Sequence, residues 1–245
     1  DSDPDNDSIS VTGYSVGGTT RALGDAVVLS EGTLTINSDG SYSFNPSTNF
    51  NGVVPTITYT MSDGTVTKNS TLLITVSPVN DAPIANPDTK STNEDTTLTI
   101  SASNGLLNND SDIDGDALIV TALTIPGITS PTVGNEITLS EGKLTINSDG
   151  SYVFVPTLNF NGTVPTVTYT ISDGEGGTAS STLIITVVPV NDAPIATPDT
   201  NSTNEDILLT VVTANGLLSN DSDPDNDSIS VTGYSVGGTT RALGD

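Results

Sequence analysis

Four aspartates stand at every second position of DSDIDGD, residues 110–116, and the same spacing returns in DSDPDND at residues 1–7 and 221–227. Carboxylates at alternate positions of a loop can turn several oxygens toward one point, and calcium takes six to eight oxygen ligands from carboxylates, Asn side chains and backbone carbonyls. A glycine such as Gly115 permits the sharp bend this needs. Without a counter-charge, Asp110, Asp112, Asp114 and Asp116 repel one another, so the tetrad reads as a calcium loop rather than a solvated turn. Magnesium demands stricter octahedral geometry and keeps its waters, which makes calcium the expected ion. The run matches the first half of an EF-hand loop, but its twelfth position is Thr121 instead of Glu and no helical pattern flanks it. A composite site completed by other loops is expected instead.

The rest of the composition narrows the chemistry. Among 245 residues there is no His and no Cys, so Ser-His-Asp triads and thiol nucleophiles are absent, and only carboxylate pairs of the glycosidase kind remain. The acids sit in ion-binding spacing, so the chain is not expected to be an enzyme. Thirty acids against five bases give a formal net charge of -25, which makes nucleic acid and anionic membrane poor partners. No apolar run approaches the roughly 18 residues of a membrane span and no basic-then-apolar leader opens the chain, so membrane insertion is not expected. Without disulfides, bound cations are the obvious source of added stability.

The elements that must position these acids repeat. SEGTLTINSDGSYSF at 30–44 returns as SEGKLTINSDGSYVF at 140–154, and PVNDAPIA at 78–85 recurs at 189–196. The periods, 110 and 111 residues, suit one independently folding unit rather than a solenoid turn. With PVNDAP as the junction, residues 84–194 form one complete unit. Residues 1–83 are a partial unit lacking an opening segment of about 27 residues, counted against the complete repeat. Residues 195–245 are the opening part of a third, so residues 221–245 repeat residues 1–25 letter for letter.

Within one unit the pattern is all-β. An extended PIANPDTKST precedes TTLTIS, ALIVTALT, KLTINS, SYVFVP, PTVTYTIS and STLIITVVP, giving seven short strands. Alternation places Leu144, Ile146, Tyr152, Phe154, Val167, Tyr169, Ile171, Leu183, Ile185 and Val187 on one inward face, with Thr and Ser outward. NSDG at 147–150 is a hairpin turn with Gly150 supplying the positive φ, and NGLL at 104–107 reads as a single helical turn. Seven strands in a unit of this size describe an immunoglobulin-like Greek-key sandwich, with an all-β barrel as the runner-up, and tandem copies are expected.

Alternating strand direction then assigns each loop to an end. DSDIDGD, the NSDG turn and SDGEGG with Asp173 fall at the end beside the incoming linker pair Asn80 and Asp81. Glu94 and Asp95 fall at the other end, beside the outgoing Asn191 and Asp192. The third unit's loop, Asp221, Asp223, Asp225 and Asp227, approaches that end from below. Asp1, Asp3, Asp5 and Asp7 are the same loop in the first unit, and Asp63 is the first unit's counterpart of Asp173. Asp39 and Asp149 are explained by hairpin turns alone.

PVNDAP linkers, NEDT near the start of a unit, NGLL followed by alternating acids, and SDGEGG before the last strand together resemble the cadherin-like, immunoglobulin-fold tandem repeats, of the VCBS and tandem-95 types, of giant bacterial RTX-type surface adhesins. The likeness covers the whole chain. It implies an extracellular, cell-surface extender that spaces a terminal adhesive module from the cell, with calcium stiffening the junctions between repeats. Each repeat would add on the order of 35 to 45 Å to a rod. By position, the linker ligands would be Asn80, Asp81, Asn191 and Asp192. Glu94 and Asp95 would close the lower junction from above, and Asp221 to Asp227 from below. The partners implied are neighbouring repeats of the same chain.

Two other roles follow from the residues. Residues 195–220 are the type of segment that residues 1–83 lack, so copies joined head to tail into a filament form the alternative. A carbohydrate-binding module is less expected, since ten Tyr and Phe and no Trp leave few exposed aromatics for a sugar.

Overall fold

Alternating hydroxyl and apolar residues build strands wherever both faces find a use, and the computed structural model, which describes residues 3–243, is all-β, with no α-helix among them. The chain divides into two units, Asp1–Asp81 and Ala82–Asp245.

In the first unit the strands are β1 (Ser10–Val16), β2 (Thr19–Arg21), β3 (Val27–Val28), β4 (Gly32–Ile36), β5 (Tyr42–Pro46), β6 (Gly52–Val53), β7 (Ile57–Ser62), β8 (Thr67–Leu72) and β9 (Thr75–Val76). They form sheets in the order β2-β1-β7-β8 and β3-β4-β5, with β6 pairing β9. Val11, Tyr14, Val16, Leu34, Ile36 and Ile57 pack between them.

In the second unit the strands are β10 (Asp88–Asn93), β11 (Leu98–Ile100), β12 (Ile119–Thr124), β13 (Glu136–Thr138), β14 (Gly142–Ile146), β15 (Tyr152–Pro156), β16 (Gly162–Thr163), β17 (Val167–Ser172), β18 (Thr178–Val188), β19 (Tyr234–Val236) and β20 (Thr239–Arg241). One sheet has the order β10-β18-β17-β12, with β16 also on β18, and the other β11-β15-β14-β13. These are immunoglobulin-like Greek-key sandwiches in tandem. All ten predicted inward residues, from Leu144 to Val187, are buried in one core.

β10 runs parallel to β18, from Asp88 opposite Leu183 to Asn93 opposite Val188, while every other strand pairing among the described residues is antiparallel. NSDG forms its hairpin turn with Gly150 at φ 79, and the Asp149 carboxylate accepts the Ser151 N–H at 2.9 Å and the Ser151 hydroxyl at 2.6 Å. The NGLL region forms two 3₁₀ turns, Ala102–Asn104 and Leu106–Asn109, hinged at Gly105. Two strands of the complete repeat were not foreseen. β13 and β16 are only three and two residues long, too short for alternation to register.

Identical sequence repeats its local structure. The β1–β2 hairpin pairs Tyr14 with Arg21 and Val16 with Thr19, and β19–β20 pairs Tyr234 with Arg241 and Val236 with Thr239.

Candidate metal centre

The three acidic loops share one local fold. The second aspartate of each accepts backbone N–H groups two and four residues on. Asp3 Oδ1 takes those of Asp5 and Asp7 at 2.8 and 3.3 Å, Asp112 Oδ1 those of Asp114 and Asp116 at 2.8 and 3.4 Å, and Asp223 Oδ1 those of Asp225 and Asp227 at 3.0 and 3.2 Å. The sixth position is left-handed each time, at Asn6 (φ 64), Gly115 (φ 82) and Asn226 (φ 62), conformations that Gly and Asn tolerate. Asp1 lies outside the described residues.

This turn spreads the tetrad unequally. Asp112, Asp114 and Asp116 bring one carboxylate oxygen each to within 4.8 Å of one another, as do Asp223, Asp225 and Asp227. Oxygens on opposite sides of a calcium ion stand about 5 Å apart, since each bond is about 2.3 to 2.6 Å. The first aspartate of each of these two tetrads is engaged elsewhere. Asp110 Oδ1 accepts the Asn86 N–H and Asp221 Oδ1 the Thr197 N–H, both at 2.7 Å. These bonds tie the loop to the segment entering the repeat, beside the two-way bridges Ile84–Ser111 and Ile195–Ser222.

Asp173 stands close enough to the first triad for its charge to reach Asp116. Its side chain is only 5% exposed, and its Oδ1 accepts the N–H groups of Glu175, Gly176 and Gly177 at 2.8, 3.0 and 3.0 Å. Burial, and then the charges of Asp112, Glu175, Asp114 and Asp173, push the Asp116 carboxyl above the usual carboxylate range. A Cβ on Gly177 would stand 2.1 Å from Asp173 Oδ2 and 2.9 Å from the Ala82 Cα, so the start of the second unit runs close against this loop. Asp63 is a local turn residue: its Oδ1 accepts the N–H groups of Thr65 and Val66, both at 2.7 Å, and those bonds hold its carboxyl low. Asn80 and Asp81 are exposed residues at the end of the first unit.

A second set of acids meets at the far end of the complete repeat. Glu94 follows β10 and is 4% exposed; its Oε1 accepts the Val190 N–H and its Oε2 the Asn161 amide at 3.3 Å. Asp95, at φ 57, accepts the Asn159 N–H at 2.9 Å. The Asp192 N–H donates to Asp225 Oδ2 at 2.7 Å, drawing the third repeat's loop onto the linker. Burial first, then Asp225, Asp95, Glu94 and Asp223, push the Asp192 carboxyl up. Asn191 turns its amide to the Asp192 carbonyl at 2.7 Å.

The donor set fits a hard divalent cation. Asp110 Oδ2 and Asp112 Oδ2 in one cluster and Asp192 Oδ2 in the other are buried with no hydrogen-bond donor, although a carboxylate oxygen removed from water needs one. Asn159 and Asn161 lie outside the expected ligand set, because the loop NFNG carries no carboxylate. Its repetition in both units was the available signal. Asp88 was also missed: its carboxylate accepts the Tyr169 hydroxyl at 2.8 Å beneath β10.

Residues 1–78 and 80–189 match the family described as bacterial cadherin-like domain, and residues 190–243 match the cadherin-like domain. No curated protein matches the chain. Among solved structures, it is similar to repeats EC1-2 of human protocadherin-24, with 16% identity, 77% of this chain and 85% of that chain covered, and a TM-score of 0.44. Protocadherin gamma B2, cadherin domains 3–6, is 17% identical over 72% of this chain and 44% of that chain, with a TM-score of 0.39. The endo-fucoidan hydrolase MfFcnA4 is 19% identical over 76% of this chain, with a TM-score of 0.27, and the chain spans 24% of its length. No helix among the described residues is long and apolar enough to cross a membrane.

Proposed function

The chain belongs to the bacterial cadherin-like domain family, and from that premise we propose that it is a non-enzymatic, extracellular extender segment of a large bacterial surface adhesin, of the RTX type, whose repeat junctions calcium stiffens. The observation that carries this reading is Asp192. It is a linker carboxylate pushed up by burial among Glu94, Asp95, Asp223 and Asp225, with a buried oxygen that no donor reaches. Glu94 and Asp95 belong to the complete repeat, Asp192 to its outgoing linker, and Asp223 and Asp225 to the next repeat. A cation held by these oxygens ties three successive pieces of chain together.

Calcium supplies positive charge to a cluster that otherwise repels itself. The chain's own residues do the rest. Val190 and Asn161 orient Glu94, the Asn159 amide fixes Asp95, and the Asp192 amide fixes Asp225. At the other end, Asp112, Asp114, Asp116 and Asp173 form the corresponding acceptor set, and by sequence offset Asn80 and Asp81 are the counterparts of Asn191 and Asp192. Because the ion binds the docked arrangement and not the unfolded chain, it stabilises both fold and junction, by about 2.7 kcal/mol at a hundredfold excess over Kd.

A calcium titration followed by small-angle scattering and thermal melting tests this. Calcium is expected to raise the melting temperature and lengthen the scattering profile, and chelator to reverse both. Profiles identical in calcium and chelator would sink the proposal.

A further inference from the structure

The first and last strands of the complete repeat, β10 and β18, lie side by side and run parallel, from Asp88 opposite Leu183 to Asn93 opposite Val188. Direction decides how such a pair meets a pull along the chain. Tension arriving before Asp88 draws β10 toward its N-terminal end, and tension leaving after Val188 draws β18 toward its C-terminal end. In parallel strands those ends are opposite, so the pull slides one strand along the other and strains every bond of the evenly spaced ladder at once. In an antiparallel pair both pulls would act at one end and open the bonds in turn.

β10 contributes to the ladder and not to the core. Its six residues, DTKSTN, include no apolar side chain, and none belongs to the apolar cluster of the unit. Polar bonds hold it, and they continue beyond both of its ends. At the entry, Ile84 and Ser111 exchange backbone bonds of 2.8 and 3.1 Å, and the Asn86 N–H donates to Asp110 Oδ1 at 2.7 Å. The Tyr169 hydroxyl lies 2.8 Å from both the Asn86 carbonyl and Asp88 Oδ2. At the exit, Glu94 grips the outgoing chain twice. Its N–H donates to the Val188 carbonyl at 2.9 Å, and its buried carboxylate accepts the Val190 N–H. A side chain thus carries the ladder past the end of β18.

We infer that this repeat bears tension: the parallel β10–β18 ladder, locked by Tyr169 at its entry and by Glu94 at its exit, carries a pull along the chain in shear. That such a pull acts on it rests on the extender reading. The clamp itself is set by strand direction and needs no cation.

The ladder names its own variants. The Glu94 N–H points at β18, and successive N–H groups of a strand point alternately to its two sides. Those of Thr92 and Lys90 therefore point at β18 too, while that of Ser91 faces the open side of β10, the edge of its sheet. Proline removes an N–H and is tolerated on an edge strand where that N–H faces outward. Lys90→Pro breaks the ladder near its middle, Ser91→Pro spares it, and Lys90→Ala controls for the lost side chain.

The test is single-molecule pulling on the 245-residue chain in chelator, in two geometries. The sequence has no Cys, so one introduced thiol gives a unique handle. The first geometry pulls from the two chain ends. The second pulls from the N-terminal end and from Thr178→Cys, an exposed position at the opposite end of β18 from Val188, so that both strands leave at one end and peel. The first unit is in series in both geometries, and its unfolding force is the internal reference. The complete repeat is expected to unfold at a several-fold higher force end to end than when peeled. Lys90→Pro should drop the end-to-end force toward the peeling value, while Ser91→Pro and Lys90→Ala keep it near that of the parent. Equal forces in the two geometries overturn the proposal, as does a Lys90→Pro chain that holds the parent force or a Ser91→Pro chain that weakens as much. Since calcium is absent throughout, these outcomes leave the extender reading to be judged by its own calcium titration.

Discussion

The backbone N–H of Asp192 donates to Asp225 Oδ2 across 2.7 Å, so two residues with acidic side chains are held together by a neutral donor. That bond fixes where the Asp225 carboxylate points, and Asp192 Oδ2 is left buried beside it without a donor. Backbone geometry gathers charge here that side-chain chemistry alone would disperse.

Asp225→Asn separates charge from geometry at this point. The amide oxygen still accepts from Asp192, so the calcium-free chain should melt at or slightly above the parent temperature. Calcium affinity by titration calorimetry should fall by on the order of tenfold or more, since hard-cation affinity tracks ligand charge. Unchanged affinity would remove Asp225 from the site.

The pH profile carries a sign. Asp116 and Asp192 have folded pKa values raised above 3.8, by burial first and by neighbouring carboxylates next. When ionised they cost stability, and that cost is relieved as pH falls through their raised values toward 3.8. Asp63 and Asp149 are lowered, Asp63 first by the Val66 N–H and Asp149 first by the Ser151 hydroxyl, so their contribution is present above 3.8 and lost as pH falls below it. In chelator, calorimetry should therefore show the melting temperature rising from neutral pH toward the carboxylate range and then dropping. With calcium present, protons compete for Asp116 and Asp192, and the gain from calcium should shrink over the same upper interval. A melting temperature in chelator that only falls with pH would count against the clustering.

The core was legible because burial on one face imposes a period of two, and Leu144 through Val187 obey it. Glu94 and Asp95 were legible as one end of a junction because strand direction alternates from one strand to the next. The split within each tetrad was not. Asp110 is drawn off by the Asn86 amide 24 residues away, and only the fold brings those two together. Asn161 escaped for a related reason, since its role is to donate to Glu94, 67 residues earlier, and a search for carboxylates passes over amides.

Gly177→Ala tests the loop that presents Asp173. The added methyl would stand 2.1 Å from Asp173 Oδ2, and the nearby Ala82 backbone blocks an easy retreat. Overpacking of this kind costs about 1 to 3 kcal/mol. Because Gly177 lies outside the apolar core, the loss should appear as weaker calcium binding alongside a modest drop in melting temperature. Gly174→Ala is not a neutral control, since its φ of 85 strains any side chain; Gly13→Ala is, as a Cβ there meets nothing within 4 Å.

Tyr169→Phe tests how β10 is held to the sandwich. The Tyr169 hydroxyl lies 2.8 Å from both Asp88 Oδ2 and the Asn86 carbonyl, under the only parallel strand pair of the described sheets. Burial pushes the Asp88 carboxyl up and the phenol bond pulls it back. Phe keeps the packing and removes the donor, so stability should fall by about 1 to 3 kcal/mol, the cost of a buried polar group left unpaired. The more selective readout is titration of Asp88 by carboxyl NMR. Its pKa should move further up in the variant while that of Asp149, held by Ser151, stays where it is. An unmoved Asp88 would mean that Tyr169 holds β10 by packing alone.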